Sequence, residues 1–314
     1  MNTMSVSAAR PLRFQDREQQ CEILYRSHGP YYHLCTPGEA TLVLFEDEAD
    51  YRFAMNLVAF CTRRVPGVRV ITFVIMRTHL HLVFSGAPEA AAAWFALFRK
   101  HLMRYYQSTR RVRDLKGFQA SVLPIDSLAF LRNTIVYVNR NGYVAHPEHS
   151  PYSYPWGANR FYFNPDAQVR QDRLFKDLRV VDQRALFRCH DVDYPGDAVV
   201  VDGFISPMSF CDIAFGERLF RDSRHYFYQV SRNVEAYRDI AKLLGDSVIY
   251  TDDELFLVVR QLCRDRYKSA RPESLSMEAK LDLARELHFE YKASGKQVQR
   301  LLRLEERTVA ALGW

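Results

Sequence analysis

The period of the apolar positions changes several times along the chain. Tyr31 to Leu34 and Thr41 to Phe45 are short β-rich runs on either side of the turn signal Thr36-Pro37-Gly38-Glu39. Glu46-Asp47-Glu48 supplies first-turn carboxylates for a helix in which Phe53, Leu57, Val58, Phe60 and Cys61 recur at helical spacing, and Pro66-Gly67 stops it. Val68 to Met76 is a continuous apolar strand, and a second strand follows Arg77-Thr78, from His79 to Phe84. A long helix is expected from Glu89 to Thr109, a short strand from Ser121 to Ile125, and a further helix from Ser127 to Asn141, ending at Gly142. Strand, helix, strand, strand, helix, strand, helix is the order of an α+β fold. It predicts a ferredoxin-like split βαββαβ antiparallel sheet with one extra helix.

Beyond a Pro/Tyr-rich tract, His146 to Pro165, the pattern is harder to read. Val199-Val200-Val201 with Gly203 is strand-like, and Val234 to Leu244 reads as helix. The last part is mainly α-helical. Thr251-Asp252-Asp253-Glu254 opens a helix over Leu255 to Cys263, and helices follow at Met277 to Tyr291, Gly295 to Leu302 and Glu305 to Leu312. The expected organisation is an N-terminal extension (1–29), an α+β domain (30–165), a connecting region (166–250) and a helical region (251–314).

Length and composition narrow the class. At 314 residues, 48% hydrophobic and 25% charged, the chain is long enough for about two domains of ordinary globular composition. No run approaches the roughly 18 apolar residues of a membrane span. Six cysteines stand far apart without a CxxC pair, as expected for reduced core thiols of a cytoplasmic protein rather than a disulfide frame or a zinc site. Charge is uneven. Residues 1–165 carry 19 Lys and Arg against 12 Asp and Glu, whereas the remainder is nearly balanced. Arg99, Lys100, Arg104, Arg110, Arg111, Arg113 and Lys116 face only Asp114 in the local sequence, so an anionic partner is expected there; a solvated helix face is the plainer alternative.

Two features carry candidate chemistry. In His79-Leu80-His81, the period of two turns both imidazoles to one face of a strand, where they can converge on one metal ion or simply be polar residues of a half-exposed strand. In Tyr137-Val138-Asn139-Arg140-Asn141, Tyr137 and Asn141 share a helix face. A phenol beside an amide can be a nucleophile and a metal ligand, or an aromatic packed beside a helix-end cap. A zinc hydrolase built on His-x-His would need a third histidine at useful spacing, and none is obvious.

The two features together, in this order, resemble the single-tyrosine HUH transposase family, and in particular the REP-associated tyrosine transposases. The resemblance rests on His79-Leu80-His81, on Tyr137 to Asn141, on Tyr154-Pro155-Trp156-Gly157 before Arg160-Phe161-Tyr162, and on the opening Tyr32-His33-Leu34 with Thr36 and Gly38. It covers residues 30–165. The chain departs from the family pattern at Arg77-Thr78, where Pro-Asn is usual, and at Gly142, where Pro is usual. The resemblance implies metal-dependent nicking and rejoining of single-stranded or hairpin DNA, derived from repeats. It implies Tyr137 as the nucleophile that forms a 5′-phosphotyrosine, and His79, His81 and Asn141 as ligands of Mg²⁺ or Mn²⁺. The alternative is a domesticated, catalytically inactive DNA-binding protein. A homodimer is compatible with either.

The basic segment would then track phosphates, with Trp94, Tyr105 and Tyr106 as stacking faces. Ser294 to Leu312 resembles a helix-turn-helix with a small core of Val298, Leu302, Leu304, Val309 and Leu312. Lys296, Arg307 and Thr308 would meet DNA, the last two at the start of the recognition helix; a plain helical hairpin is the alternative.

Overall fold

The computed structural model describes residues 14–36, 43–145, 149, 153–190, 192–232, 250, 252–269 and 271–313. Its centre is a four-stranded antiparallel sheet of β1 (Tyr31–Cys35), β2 (Val68–Ile75), β3 (Leu80–Gly86) and β4 (Ser121–Ile125), in the order β2-β3-β1-β4. That order, with helices in the two crossovers, is the ferredoxin-like arrangement the periodicity predicts. The register pairs His33 with Val83 and Cys35 with His81, so His33, His81 and Val83 share one face. On the other face lie α2 (Glu48–Arg64) and α3 (Pro88–Ser108), while α4 (Leu128–Ala145) crosses the histidine-bearing face.

Two boundaries differ from expectation. Residues 43–45 form no strand: Leu44 and Phe45 are buried, and their backbone N–H groups both donate to the Arg77 carbonyl at 2.9 and 3.0 Å. Four consecutive apolar residues, Leu42 to Phe45, carried the strand reading, and burial of Leu44 and Phe45 at a chain crossing accounts for part of the same run. Nor does α4 stop at Gly142. A Cβ there would lie 2.2 Å from the Tyr154 ring, so this glycine makes room for an aromatic inside a helix rather than ending it.

β2 is an edge strand, yet its outer edge is covered. Ile75 N–H donates to the Trp156 carbonyl at 2.9 Å, Ala158 N–H to Phe73 at 3.0 Å, and the hydroxyls of Tyr154 and Tyr162 to Ile75 and Ile71 at 2.7 and 2.8 Å. Asp212 N–H reaches the Val70 carbonyl at 2.8 Å. A strand edge so capped offers no template for another chain. Gly157 permits the approach, because a Cβ there would meet the Phe73 carbonyl oxygen at 2.7 Å.

The remaining elements pack around this centre. α1 (Phe14–Arg26), absent from the sequence reading, lies against α4 through the Glu18–Arg132 ion pair at 2.5 Å. Beyond α5 (Pro165–Val169), a second sheet is built from β5 (Arg173–Leu174), β6 (Val199–Val201) and β7 (Phe204–Ile205), with α6 (Val180–Phe187) between its first two strands. Asp202 and Gly203, both at positive φ, make its hairpin turn. Asn56 of α2 ties this hairpin down, donating to the Gly203 carbonyl at 3.3 Å and accepting from Ile205 N–H at 2.8 Å. α7 (Ile213–Arg218) and α8 (Ser223–Arg232) follow; the helix expected at Val234 to Leu244 lies outside the described residues. The C-terminal helices are α9 (Asp252–Tyr267), α10 (Met277–Tyr291), α11 (Gly295–Leu302) and α12 (Glu306–Ala310). All six cysteines are free thiols, and no helix among the described residues is long and apolar enough to cross a membrane.

One buried ion pair joins the central fold to the C-terminal helices. Arg140 of α4 and Glu254 of α9 are 0% and 4% exposed, and their charged groups are in contact. Removing one partner strands the other charge in the interior, which costs about 3–5 kcal/mol. Arg140→Met should therefore destabilise the fold by that order in urea unfolding, and adding Glu254→Leu should recover most of the loss. A loss below ~1 kcal/mol for the single variant would show that the pair does not tie α9 to α4.

Candidate active site

His79, His81 and Tyr137 come together where β3 meets α4. His81 lies on β3, fully buried, and His79 stands just before the strand, half-buried. Their ring centroids are 4.9 Å apart, and the Tyr137 ring meets His81 edge-on at 5.6 Å. α4 is held over this point by the Asn139 side chain, which contacts the Thr72 hydroxyl of β2 and donates to the Tyr226 hydroxyl at 2.9 Å. Asn141 lies one turn beyond Tyr137 on the same helix face and is buried at 6% exposure.

A third histidine belongs to the cluster. His33 of β1 is buried, its Nε2 lies 3.2 Å from His81 Nδ1, and its ring meets Tyr137 at 6.4 Å. The sequence carried a signal for it: Tyr31, His33 and Cys35 alternate on one strand face, and pairing β1 with β3 brings that face to His81. The contact has two possible directions: His81 Nδ1–H donating to His33 Nε2 leaves a lone pair on His81 Nε2, whereas His33 Nε2–H donating to His81 Nδ1 places the proton on His81 Nε2. Burial drives both toward the neutral form. His33 is pushed down to about 3; His81 falls well below the ordinary imidazole range through burial and the neighbouring His79 and His33.

Neutral imidazole is the form that binds a cation. Thr78 Oγ1 lies 2.9 Å from His79 Nδ1. Among the described residues, no group of three or more His, Cys, Asp and Glu is arranged to hold a metal ion. Asn141 is placed by its burial and its turn of α4, one turn from Tyr137; two imidazoles and an amide carry no charge, so a hard divalent cation held by them would need water or an anionic ligand to complete it. Tyr137 is itself fully buried, so a phosphate reaches its oxygen only if the cover over α4 opens.

The basic segment is arranged differently from its sequence pattern. Arg111 pairs with Asp47 and Asp50, each at 2.6 Å, and Arg113 with Glu46, all at the start of α2. These carboxylates lie some 60 residues away in sequence, which is why Asp114 looked like the segment's lone acid. Arg99 donates to the Leu115 carbonyl at 2.9 Å, while Lys100, Arg104, Arg110 and Lys116 are exposed. The expected stacking faces are not offered. Trp94, Tyr105 and Tyr106 are buried, and the two tyrosine hydroxyls donate inward to Asp50 and to the Leu44 carbonyl.

At the C-terminus, Ser294 and Gln297 form a capping box at the start of α11, and Arg303 adopts the left-handed conformation that the tight turn requires. Val298, Leu302, Leu304 and Val309 are buried as expected, with Leu312 half-buried. α12 is a single turn or so, shorter than the helix expected from Glu305 to Leu312. Lys296 is exposed, Thr308 is half-buried, and Arg307 is exposed but paired with Glu305 at 2.5 Å.

No family model matches the chain, and no curated protein matches it. Among solved structures it is similar to a REP-associated tyrosine transposase bound to a REP hairpin, with 10% identity and a TM-score of 0.34, over 44% of this chain and 82% of that one.

The histidine burial has a consequence for stability. Below the ordinary imidazole value near 6.5, the unfolded chain protonates His33 and His81 while the folded chain does not. Stability is therefore full above about pH 6.5 and falls with pH until the folded-state value is reached, about 3 for His33. Each group contributes a slope of about 1.4 kcal/mol per pH unit inside that window. Urea unfolding in chelator between pH 6.5 and 4.5 should show a shallower dependence for His33→Gln than for the parent, by about that slope. Equal slopes would mean that His33 is protonated or exposed in the folded chain.

Proposed function

We propose that this protein nicks and rejoins single-stranded DNA through Tyr137, with a divalent cation held by His79, His81 and Asn141. The observation that supports this reading is the meeting of His81 of β3, and of His79 just before that strand, with one phenol from α4. In the proposed step, Tyr137 Oη attacks the scissile phosphorus and the bond to the 3′ oxygen breaks. The phenol gives up one proton and the departing oxygen takes one up, leaving a 3′-OH and a 5′-phosphotyrosine. The phosphodiester bond energy is conserved, so a 3′-OH from another strand can reverse the step without a nucleotide cofactor. A bound Mg²⁺ or Mn²⁺ supplies charge to offset that developing on the phosphate oxygens. In this reading His81 Nδ1–H donates to His33 Nε2, which leaves the His81 Nε2 lone pair for the cation, and Asn139 fixes the helix that carries Tyr137.

One observation favours a second reading, a transposase-derived protein that binds DNA without cutting it. The Tyr137 side chain has no exposed surface. Under the enzyme reading, DNA binding must lift that cover.

Tyr137→Phe keeps the ring and removes the nucleophilic oxygen. With a 3′-labelled single strand or hairpin and Mn²⁺, the parent should carry label through a denaturing protein gel, and Tyr137→Phe should lose it by at least about a thousandfold with DNA affinity within about twofold. Asn141→Ala should regain part of its activity at high Mn²⁺. Label retained by Tyr137→Phe would move the nucleophile elsewhere; no label on the parent with any hairpin would leave the binding reading.

Site choice should depend on the C-terminal helices. Lys296→Ala with Arg307→Ala should narrow the affinity difference between preferred and scrambled hairpins by roughly tenfold, about 1.4 kcal/mol. Nicking of a supplied single strand should change little. Unchanged discrimination would make α11 and α12 a packing element only.

A further inference from the structure

On the side of the sheet away from the histidine cluster, α3 and the end of α6 flank an open groove of about 730 Å³. That volume is within the range of sites that take nucleotide-sized ligands. The rim is cationic: Arg104 comes from α3 and Arg184 and Arg188 from α6 and its cap, with His101 and His190 beside them. Among the described residues, no carboxylate lines it. The floor includes the Tyr105 ring, whose hydroxyl donates to Asp50 at 2.8 Å; Asp50 also accepts from Arg111, so that negative charge is engaged behind the ring.

Among the described residues, none of the three arginines pairs with an acid. Arg188 lies over the Tyr105 ring, 4.9 Å from its centroid, and donates to Ser108 Oγ at 3.3 Å. Arg184 donates only to the His190 carbonyl, at 3.2 Å, and Arg104 has no hydrogen bond or ion pair with any described residue. Arg188 also holds a left-handed backbone, φ 46 and ψ 45, where glycine is the usual occupant. Keeping a large cation in that conformation, at the rim of a groove, is the kind of local strain that function retains. His101 is held below the ordinary imidazole range first by burial and then by the charges of Arg104, Lys100 and Arg64.

We propose that this groove binds the phosphodiester backbone of a single nucleic-acid strand, as a second contact remote from Tyr137. The proposal rests on the DNA reading above for the identity of its ligand, but on different residues. A concave rim of guanidinium groups, with no carboxylate among the described lining residues, suits successive phosphates. Sequence inspection finds only part of this site, because Arg184 and Arg188 come from the connecting region and meet α3 only in the fold.

The test is fluorescence anisotropy of the full chain with a labelled oligodeoxynucleotide of about 20 nucleotides, titrated over salt. Each phosphate neutralised on a single strand contributes about 0.7 to the slope of log K against log salt. Replacing Arg104, Arg184 and Arg188 by Gln should make that slope shallower by about 2 and weaken binding at low salt, with the melting temperature unchanged. If the triple variant fails to fold, Arg104→Gln alone should lower the slope by about 0.7. An unchanged slope in a folded variant, or no binding by the parent, overturns the proposal. So does competition by inorganic phosphate at concentrations where it leaves the triple variant unaffected, since that describes a site for an isolated phosphate rather than a strand. Label transfer to Tyr137 in the same samples reports the nicking reaction separately: a changed slope without label upholds the groove and not the nuclease, and label with an unchanged slope does the reverse.

Discussion

Everything in the candidate site depends on how His81 is buried. It lies on β3, between β1 and β2, under a helix, where a polar ring without a partner would cost several kcal/mol. His33 on the neighbouring strand supplies a partner, its Nε2 lying 3.2 Å from His81 Nδ1. Burial of the pair holds both rings toward the neutral form. It also restricts what α4 can present to them, and the ring that arrives is Tyr137.

α4 is accordingly fixed from several directions. Asn139 ties it to Thr72 of β2 and to Tyr226 of α8, Gly142 receives the Tyr154 ring, and Arg140 is paired with Glu254 of α9. Tyr154 in turn belongs to the tract that closes the β2 edge. A helix held at so many points delivers a side chain with little positional freedom, which positional catalysis needs. The same contacts explain why the tyrosine is covered, and why the C-terminal helices are coupled to the site through a buried charge rather than attached as a separate bead.

Much of this was legible in the sequence. The strand and helix order gave the α+β class, and a period of two was enough to put His79 and His81 on one face. The His-x-His and Tyr-to-Asn segments were likewise picked out before the fold as candidates for the chemistry proposed above. What was hidden depended on contacts distant in sequence. His33 becomes a partner only when β1 pairs with β3. Arg111 and Arg113 look unpaired until α2 brings Glu46, Asp47 and Asp50 to them. Tyr105 and Tyr106 look like surface aromatics on a basic helix until their hydroxyls are seen to point inward. Gly142 reads as a helix stop because a glycine's packing role cannot be told from its conformational one without the facing ring. α1 has too few apolar positions to announce itself, and its burial rests on specific polar contacts such as Glu18 with Arg132.

The central claim is that the covered phenol of Tyr137 is a nucleophile once DNA is bound. Peptide mass spectrometry of the unmodified protein after incubation with hairpin DNA and Mn²⁺, followed by nuclease trimming, tests it most directly. The account predicts a nucleotide mass on the peptide containing Tyr137 and on no other tyrosine peptide, formed only with metal present. The same mass on a different tyrosine, or its formation in chelator, would contradict it.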